Sequence, residues 1–153
     1  ADPTRDAITG FSYGGYLSAL AVTLGAPHFT HAMAGGSVTH WGLYDSHYTE
    51  RFMGTPQNNP EGYKKSSVME YISKYQGGLQ MIHGLRDENV HPQHTIRLAT
   101  ALQNANKQFD LMLYSGNRHG IRGKQGIHYN NYKTYFIYQH LLKKPVPEKM
   151  IRK

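Results

Sequence analysis

Ser12 lies in Gly10-Phe11-Ser12-Tyr13-Gly14-Gly15, a G-x-S-x-G pattern. A strand-like run, Asp6-Ala7-Ile8-Thr9, precedes it and a helix-like run, Tyr16 to Leu24, follows it. A serine hydroxyl is a weak nucleophile until a base removes its proton. A sharp strand-to-helix turn pushes such a hydroxyl out at its apex and aims the next backbone N–H at the oxyanion of acyl transfer. That N–H belongs to Tyr13. Glycines two before and two after the serine are expected to clear the crossing of strand and helix. A glycine-rich turn with no chemistry has the same local pattern, so the acid and the base must come from elsewhere in the chain.

The elements that must position them alternate. Residues 6–10 read as a short buried strand and 14–25 as a helix, with Leu17, Leu20, Ala21 and Leu24 at helical spacing, Gly25 as its C-cap and Pro27 as a stop. Residues 31–38 read as a second strand. Thr39 to Gly54 is aromatic-rich and partly helical in spacing. Residues 57–62 form a loop by composition and 61–75 one or two short helices. Leu79 to Gly84 is a third strand, Pro92 to Lys107 a helix, and Phe109 to Tyr114 a fourth strand. A glycine-rich basic loop over 115–126 leads to an amphipathic helix over 127–142 and a loose tail after Pro145. Strands alternating with helices predict an α/β fold with a mostly parallel sheet.

Sites in such sheets gather at the carboxyl ends of the strands. That rule selects Ser12, the stretch Arg86 to His91, and the stretch Gly116 to Gly120. The second contains two adjacent acids, Asp87 and Glu88; the third contains His119 between Arg118 and Gly120. The order Ser, Asp, His along the chain is that of α/β hydrolases. In such a set His119 takes the proton of Ser12, and the acid holds the imidazole tautomer and stabilises the imidazolium. A surface-turn aspartate and one loop histidine among ten are the bland alternatives.

Composition narrows the classes. At 153 residues the chain is one domain at most and long enough to bury a core. No apolar run approaches the ~20 residues of a membrane span. The absence of cysteine excludes disulfides and thiol chemistry. The formal charge of +7 is scattered without a long basic run, which predicts a solvated surface and no nucleic-acid partner. His91 and His94 are three apart, but no third or fourth ligand has recognisable spacing, so no metal is expected. Gly123-Lys124 is followed by Gln125 and the upstream position is Arg118, so no Walker A loop forms and no cofactor is implied.

Four stretches resemble the prolyl oligopeptidase family, nearest its dipeptidyl peptidase IV branch. Gly10 to Tyr16 resembles that branch's G-W-S-Y-G-G-Y. Trp41 to Gly54 resembles W-x-x-Y-D-S-x-Y-T-E-R-Y-M-G, Ile82 to His91 resembles I-H-G-x-x-D-D-N-V-H, and His119-Gly120-Ile121 resembles H-G-I. The resemblance covers nearly the whole chain and implies the C-terminal half of an α/β-hydrolase fold. It matches Ser12 to the nucleophile, Asp87 rather than Glu88 to the acid, His119 to the base and Tyr13 to half of the oxyanion hole. It places Val38, Trp41, Tyr44, Tyr48 and Val90 around a pocket for proline or alanine, and Asn89 on a substrate carbonyl. Tyr44 and Tyr48, four apart, are expected on one helix face.

The implied activity is release of N-terminal dipeptides from peptide substrates. An acylaminoacyl-peptidase or esterase, and a hydrolase fold kept only as a binding module, are the alternatives. Phe11 departs from the branch's tryptophan. Asn117-Arg118 departs from its acidic pair and sets a cation beside His119. The family's propeller and the first half of its hydrolase sheet have no counterpart here, so the missing N-terminal part is an expected partner. A homodimer stays open. Alone, the chain is expected to be poorly stable and inactive, with an unpaired edge on its first strand.

Overall fold

A computed structural model of the chain describes residues 2–153. It consists of β1 (Ala7–Phe11), α1 (Tyr13–Ala21), β2 (His31–Gly35), α2 (Ser46–Met53), α3 (Pro60–Lys65), β3 (Gly78–Gly84), α4 (Gln93–Asn104), β4 (Asp110–Tyr114) and α5 (Gly123–Phe136). Short 3-10 turns occupy Trp41–Leu43, Val68–Lys74 and Glu148–Met150. The four strands form one sheet in the order β1-β2-β3-β4, every pair parallel. Register sets Phe11 beside Gly35, Gly35 beside Ile82 and Gly84 beside Tyr114. The carboxyl ends of all four strands therefore open on one rim.

β3 is flanked on both sides, and its run Leu79 to Gly84 is buried throughout. That explains a strand without polar alternation. Ala32, Ala34, Leu79 and Met81 face a core filled by Tyr16, Ala19 and Val22 of α1 and by Leu98, Ala99 and Leu102 of α4. Small residues on β2 let α1 approach the sheet. On the opposite face the Gln80 amide donates to the Tyr132 carbonyl of α5 at 3.1 Å.

Several boundaries differ from expectation. α1 stops at Ala21, four residues before Gly25, because the Thr23 hydroxyl and the Gly25 N–H return to the carbonyls of Ala19 and Leu20. β2 ends at Gly35, since Gly36 takes φ +50° and turns the chain out of the sheet. Pro60 opens a helix rather than closing a loop, with Asn59 capping the Gly62 N–H at 3.0 Å. α5 begins at Gly123, inside the expected loop, and continues as a π-helical turn over Ile137–Leu142. It is less amphipathic than expected: only Phe136 and Leu141 along its length are fully buried. The tail is tied down by Asn131, whose side chain bonds both the N–H and the carbonyl of Arg152 at 2.9 Å.

Candidate active site

Ser12 joins β1 directly to α1 with φ 59° and ψ −120°. This lies outside the allowed regions for a side-chain-bearing residue and costs on the order of 1–3 kcal/mol. The conformation is held from both sides: the Ser12 N–H donates to the Gly35 carbonyl at 2.8 Å, and its carbonyl accepts from Tyr16 N–H at 3.0 Å. The Tyr13 N–H is the first of α1 and has no acceptor within the helix. It remains free for an anion at the positive end of the helix dipole.

The glycines divide the work differently from expectation. A Cβ at Gly10 would run into the Gly14 carbonyl, and one at Gly15 into the Gly35 carbonyl and the Ser37 side chain. A Cβ at Gly14 would meet open space. The clearance comes from Gly10 and Gly15; Gly14 supplies only backbone. Gly10→Ala therefore lowers stability by about 3 kcal/mol. Gly14→Ala is neutral or stabilising by up to about 1 kcal/mol, as expected within a helix. Thermal melts of the two variants read the contrast.

His119 is drawn from the loop after β4 to within hydrogen-bond distance of both partners. Its Nε2 is 2.9 Å from Ser12 Oγ and its Nδ1 2.8 Å from Asp87 Oδ2. Asp87 is buried, and its Oδ1 accepts from the N–H groups of Asn89 at 3.0 Å and Val90 at 2.9 Å. Those bonds fix the carboxylate as acceptor on both oxygens. The rival acid, Glu88, turns outward and pairs with Arg118 at 3.0 Å, both side chains well exposed. That pair also neutralises the cation that the sequence sets beside His119. The loops carrying acid and base are joined by backbone bonds, Leu85 N–H to Tyr114 O and Arg86 N–H to Asn117 O, each 3.0 Å. Phe11 meets the His119 ring edge-on at 5.4 Å between centroids, so the departure from tryptophan keeps an aromatic support.

Beside Ser12 a cavity of about 160 Å³ is lined by Tyr13, Val38, Trp41, Tyr44, Tyr48 and Val90. The five wall residues expected from the sequence thus meet in one place, and Tyr13 joins them with its ring. The turn motif speaks only for the Tyr13 N–H; the direction of its ring follows from the strained turn at Ser12. Trp41 stacks on Tyr48 at 6.0 Å and meets Tyr44 edge-on at 5.9 Å. Tyr44 and Tyr48 do not share a helix face. Tyr44 is extended and precedes Asp45, which caps α2 through Tyr48 N–H at 2.8 Å. Their rings nonetheless meet at 5.6 Å. The Tyr44 hydroxyl donates to Asn89 Oδ1 at 2.7 Å, leaving the Asn89 amide N–H groups for another acceptor. A wider hollow of about 350 Å³ lies behind the Tyr13, Trp41 and Tyr48 wall, reaching Phe52 and Met53.

Beneath the site lie two fully buried histidines. Burial, reinforced by the nearby His83, pushes His94 down to about 4. Burial also lowers His83, and likewise His31 and His40. Such groups stay neutral in the fold but protonate when it opens, near 6.5. For His94 that contribution is complete above about pH 6.5 and is lost as pH falls toward 4. His94 alone removes about 2 kcal/mol between pH 7.5 and 5. Urea midpoints across that range read the loss, and a flat midpoint contradicts it.

Among the described residues, no group of three His, Asp or Glu side chains is placed to hold a metal ion, and no helix is long and apolar enough to cross a membrane. A parallel sheet with a serine at the elbow after its first strand, and an acid and a histidine on the loops after its third and fourth strands, is the arrangement of an α/β hydrolase. The profile of the prolyl oligopeptidase family matches residues 1–144, and the chain belongs to that family. It is 41% identical over 144 residues to dipeptidyl peptidase 8 of Homo sapiens, covering 92% of this chain and 16% of that protein. It is 42% identical over 141 residues to prolyl endopeptidase FAP of Homo sapiens, covering 90% and 19%. The crystal structure of Porphyromonas gingivalis dipeptidyl peptidase 4 superposes with a TM-score of 0.90 at 39% identity, over 92% of this chain and 20% of that one. The chain thus spans no more than a fifth of the length of these relatives.

Proposed function

We propose that this chain carries the reacting groups of a serine peptidase that releases dipeptides from peptide N-termini, with proline or alanine second. The observation that carries the reading is the continuous line Ser12 Oγ, His119, Asp87, with contacts of 2.9 and 2.8 Å. His119 Nε2 takes the serine proton as Oγ attacks the scissile carbonyl, and returns it to the leaving amine. Asp87 keeps the Nδ1–H tautomer and offsets the charge of the imidazolium. The Tyr13 N–H donates to the oxyanion. Water then hydrolyses the acyl-enzyme through the same base.

The aromatic cavity accepts a flat ring between Trp41, Tyr44 and Tyr48, closed by Val38 and Val90. Such a wall favours proline by shape, and alanine less strongly, since a missing methylene costs about 1–3 kcal/mol. The free N–H groups of Asn89 take a substrate carbonyl. Anchoring of the free amine and the second oxyanion donor fall to an N-terminal part of the enzyme, which also covers the outer edge of β1. Residues 1–153 by themselves are then marginally stable and inactive.

One relative's name is that of a prolyl endopeptidase, so cleavage position needs a direct test. The complete protein is incubated with a fluorophosphonate and read by intact mass, with Ser12→Ala as control. It is then given a panel of X-Pro, X-Ala, N-acyl-Pro and N-acylaminoacyl substrates. Labelling at Ser12 with turnover confined to free-amine X-Pro and X-Ala substrates is expected. Turnover only of the blocked substrates assigns an endopeptidase or acylaminoacyl-peptidase instead. Absence of labelling leaves a binding module.

A further inference from the structure

His83, the penultimate residue of buried β3, is a fully buried titratable group that the proton-transfer steps above leave unused. Its Nε2 is 2.7 Å from the Val90 carbonyl, and its Nδ1 is 2.7 Å from the Thr95 hydroxyl near the start of α4. A carbonyl can only accept, so Nε2 carries the proton and Nδ1 accepts from Thr95. The same Nε2 lies 3.2 Å from Asp87 Oδ2, the oxygen that faces His119. Val90 is tied at both ends of its backbone. Its carbonyl accepts from His83, while its N–H donates to Asp87 Oδ1 at 2.9 Å. Its side chain closes the cavity beside Ser12. One imidazole thereby connects the central strand, the acid's loop, the pocket wall and α4.

We propose that His83 is a positioning residue: it seats the Asp87 carboxylate against His119 and the Val90 side chain against the substrate pocket. The inference rests on the serine peptidase reading for its effect on turnover, but the placement it asserts does not need that reading. Residues Asp87 to Val90 form a loop of bends without helix or strand of its own. Its shape is set by the two N–H bonds onto Asp87 Oδ1 from inside and by His83 from below. Thr95 fixes which nitrogen of His83 donates. The adjacent His94 does a parallel service for the other valine wall: its Nδ1 accepts from the N–H of Thr39, next to Val38, at 3.1 Å.

His83→Phe keeps the ring's bulk but leaves the Val90 carbonyl without its donor. Gln can return an N–H near the Nε2 position. In the complete protein, the crystal structure of His83→Phe is expected to show the Asp87–His119 contact stretched beyond the hydrogen-bond limit of about 3.5 Å. Its kcat/KM, normalised to active sites counted by fluorophosphonate, is expected to fall about 100-fold. His83→Gln is expected to recover most of both. If His83→Phe does not fold, Thr95→Val carries the test, removing only the hydroxyl that fixes the tautomer, with a smaller change in the same direction.

An unchanged Asp87–His119 contact with per-site kcat/KM within about twofold of wild type overturns the inference, as does a loss that Gln does not relieve. A wild type that the fluorophosphonate does not label overturns the peptidase reading instead. The variant's crystal structure then still decides whether His83 seats Asp87.

Discussion

Ser12→Ala in the complete protein lowers kcat by about a millionfold and abolishes fluorophosphonate labelling, while leaving substrate affinity and melting temperature nearly unchanged. The size follows from the shared proton. His119 Nε2 is 2.9 Å from Oγ, and without that oxygen the base has no nucleophile to activate. His119→Ala is expected to cost as much, and the double variant little more than either, because the two act as one unit. Stability is spared for a physical reason. The Ser12 side chain caps nothing in α1; the strained turn is held by backbone bonds to Gly35 and Tyr16, which alanine retains. Alanine must still adopt φ 59°, so the variant keeps the strain and loses only the chemistry. Steady-state kinetics, a thermal melt and intact mass after labelling check the three parts. A Ser12→Ala protein with kcat within tenfold of wild type would falsify the assignment of the nucleophile.

What was legible in the sequence is what short motifs and local order encode. The G-x-S-x-G turn places Ser12, and the alternation of strands and helices forces Asp87 and His119 onto the same rim, because parallel strands must end together. Trp41, Tyr44 and Tyr48 follow from the resemblance of the stretch Trp41 to Gly54, Val38 and Val90 from the family resemblance beyond it, and the cavity collects all five. The geometry behind them was not legible. Tyr44 and Tyr48 suggest a helix face by spacing, yet Asp45 caps α2 between them and leaves Tyr44 extended. The glycine at 14 fits the motif, but packing places the close approaches at 10 and 15.

The buried polar layer was the least visible. His83 meets Thr95 twelve residues on, and His94 meets Thr39 fifty-five residues back. Neither pair has a spacing that marks it among ten histidines. Nor could sequence decide between Asp87 and Glu88 without the resemblance; the difference is the direction each side chain leaves the loop. The one signal available was that His83 interrupts an apolar strand, where an ionisable group needs partners to be buried.

That direction sets the second large effect. Asp87→Asn lowers kcat/KM by about ten-thousandfold, whereas Glu88→Gln stays within about twofold of wild type. Two N–H groups, from Asn89 and Val90, point at Oδ1. In the asparagine variant they hold the amide oxygen at that position, so the NH2 takes the place of Oδ2 and faces His119 Nδ1. His119 must then accept at Nδ1 and carry its proton on Nε2, the atom 2.9 Å from Ser12 Oγ that must be bare to take the serine proton. The new NH2 also faces the His83 Nε2–H across the 3.2 Å contact, two donors with no acceptor between them. Glu88 offers no such coupling: its carboxylate meets Arg118 in solvent and touches neither His119 nor the loop's interior. Because the wrong tautomer is the cause, the deficit of Asp87→Asn shrinks at high pH, where solvent hydroxide takes the Ser12 proton in place of His119. A Glu88→Gln variant that lost as much as Asp87→Asn, or an Asp87→Asn deficit independent of pH, would move the acid or the tautomer argument elsewhere.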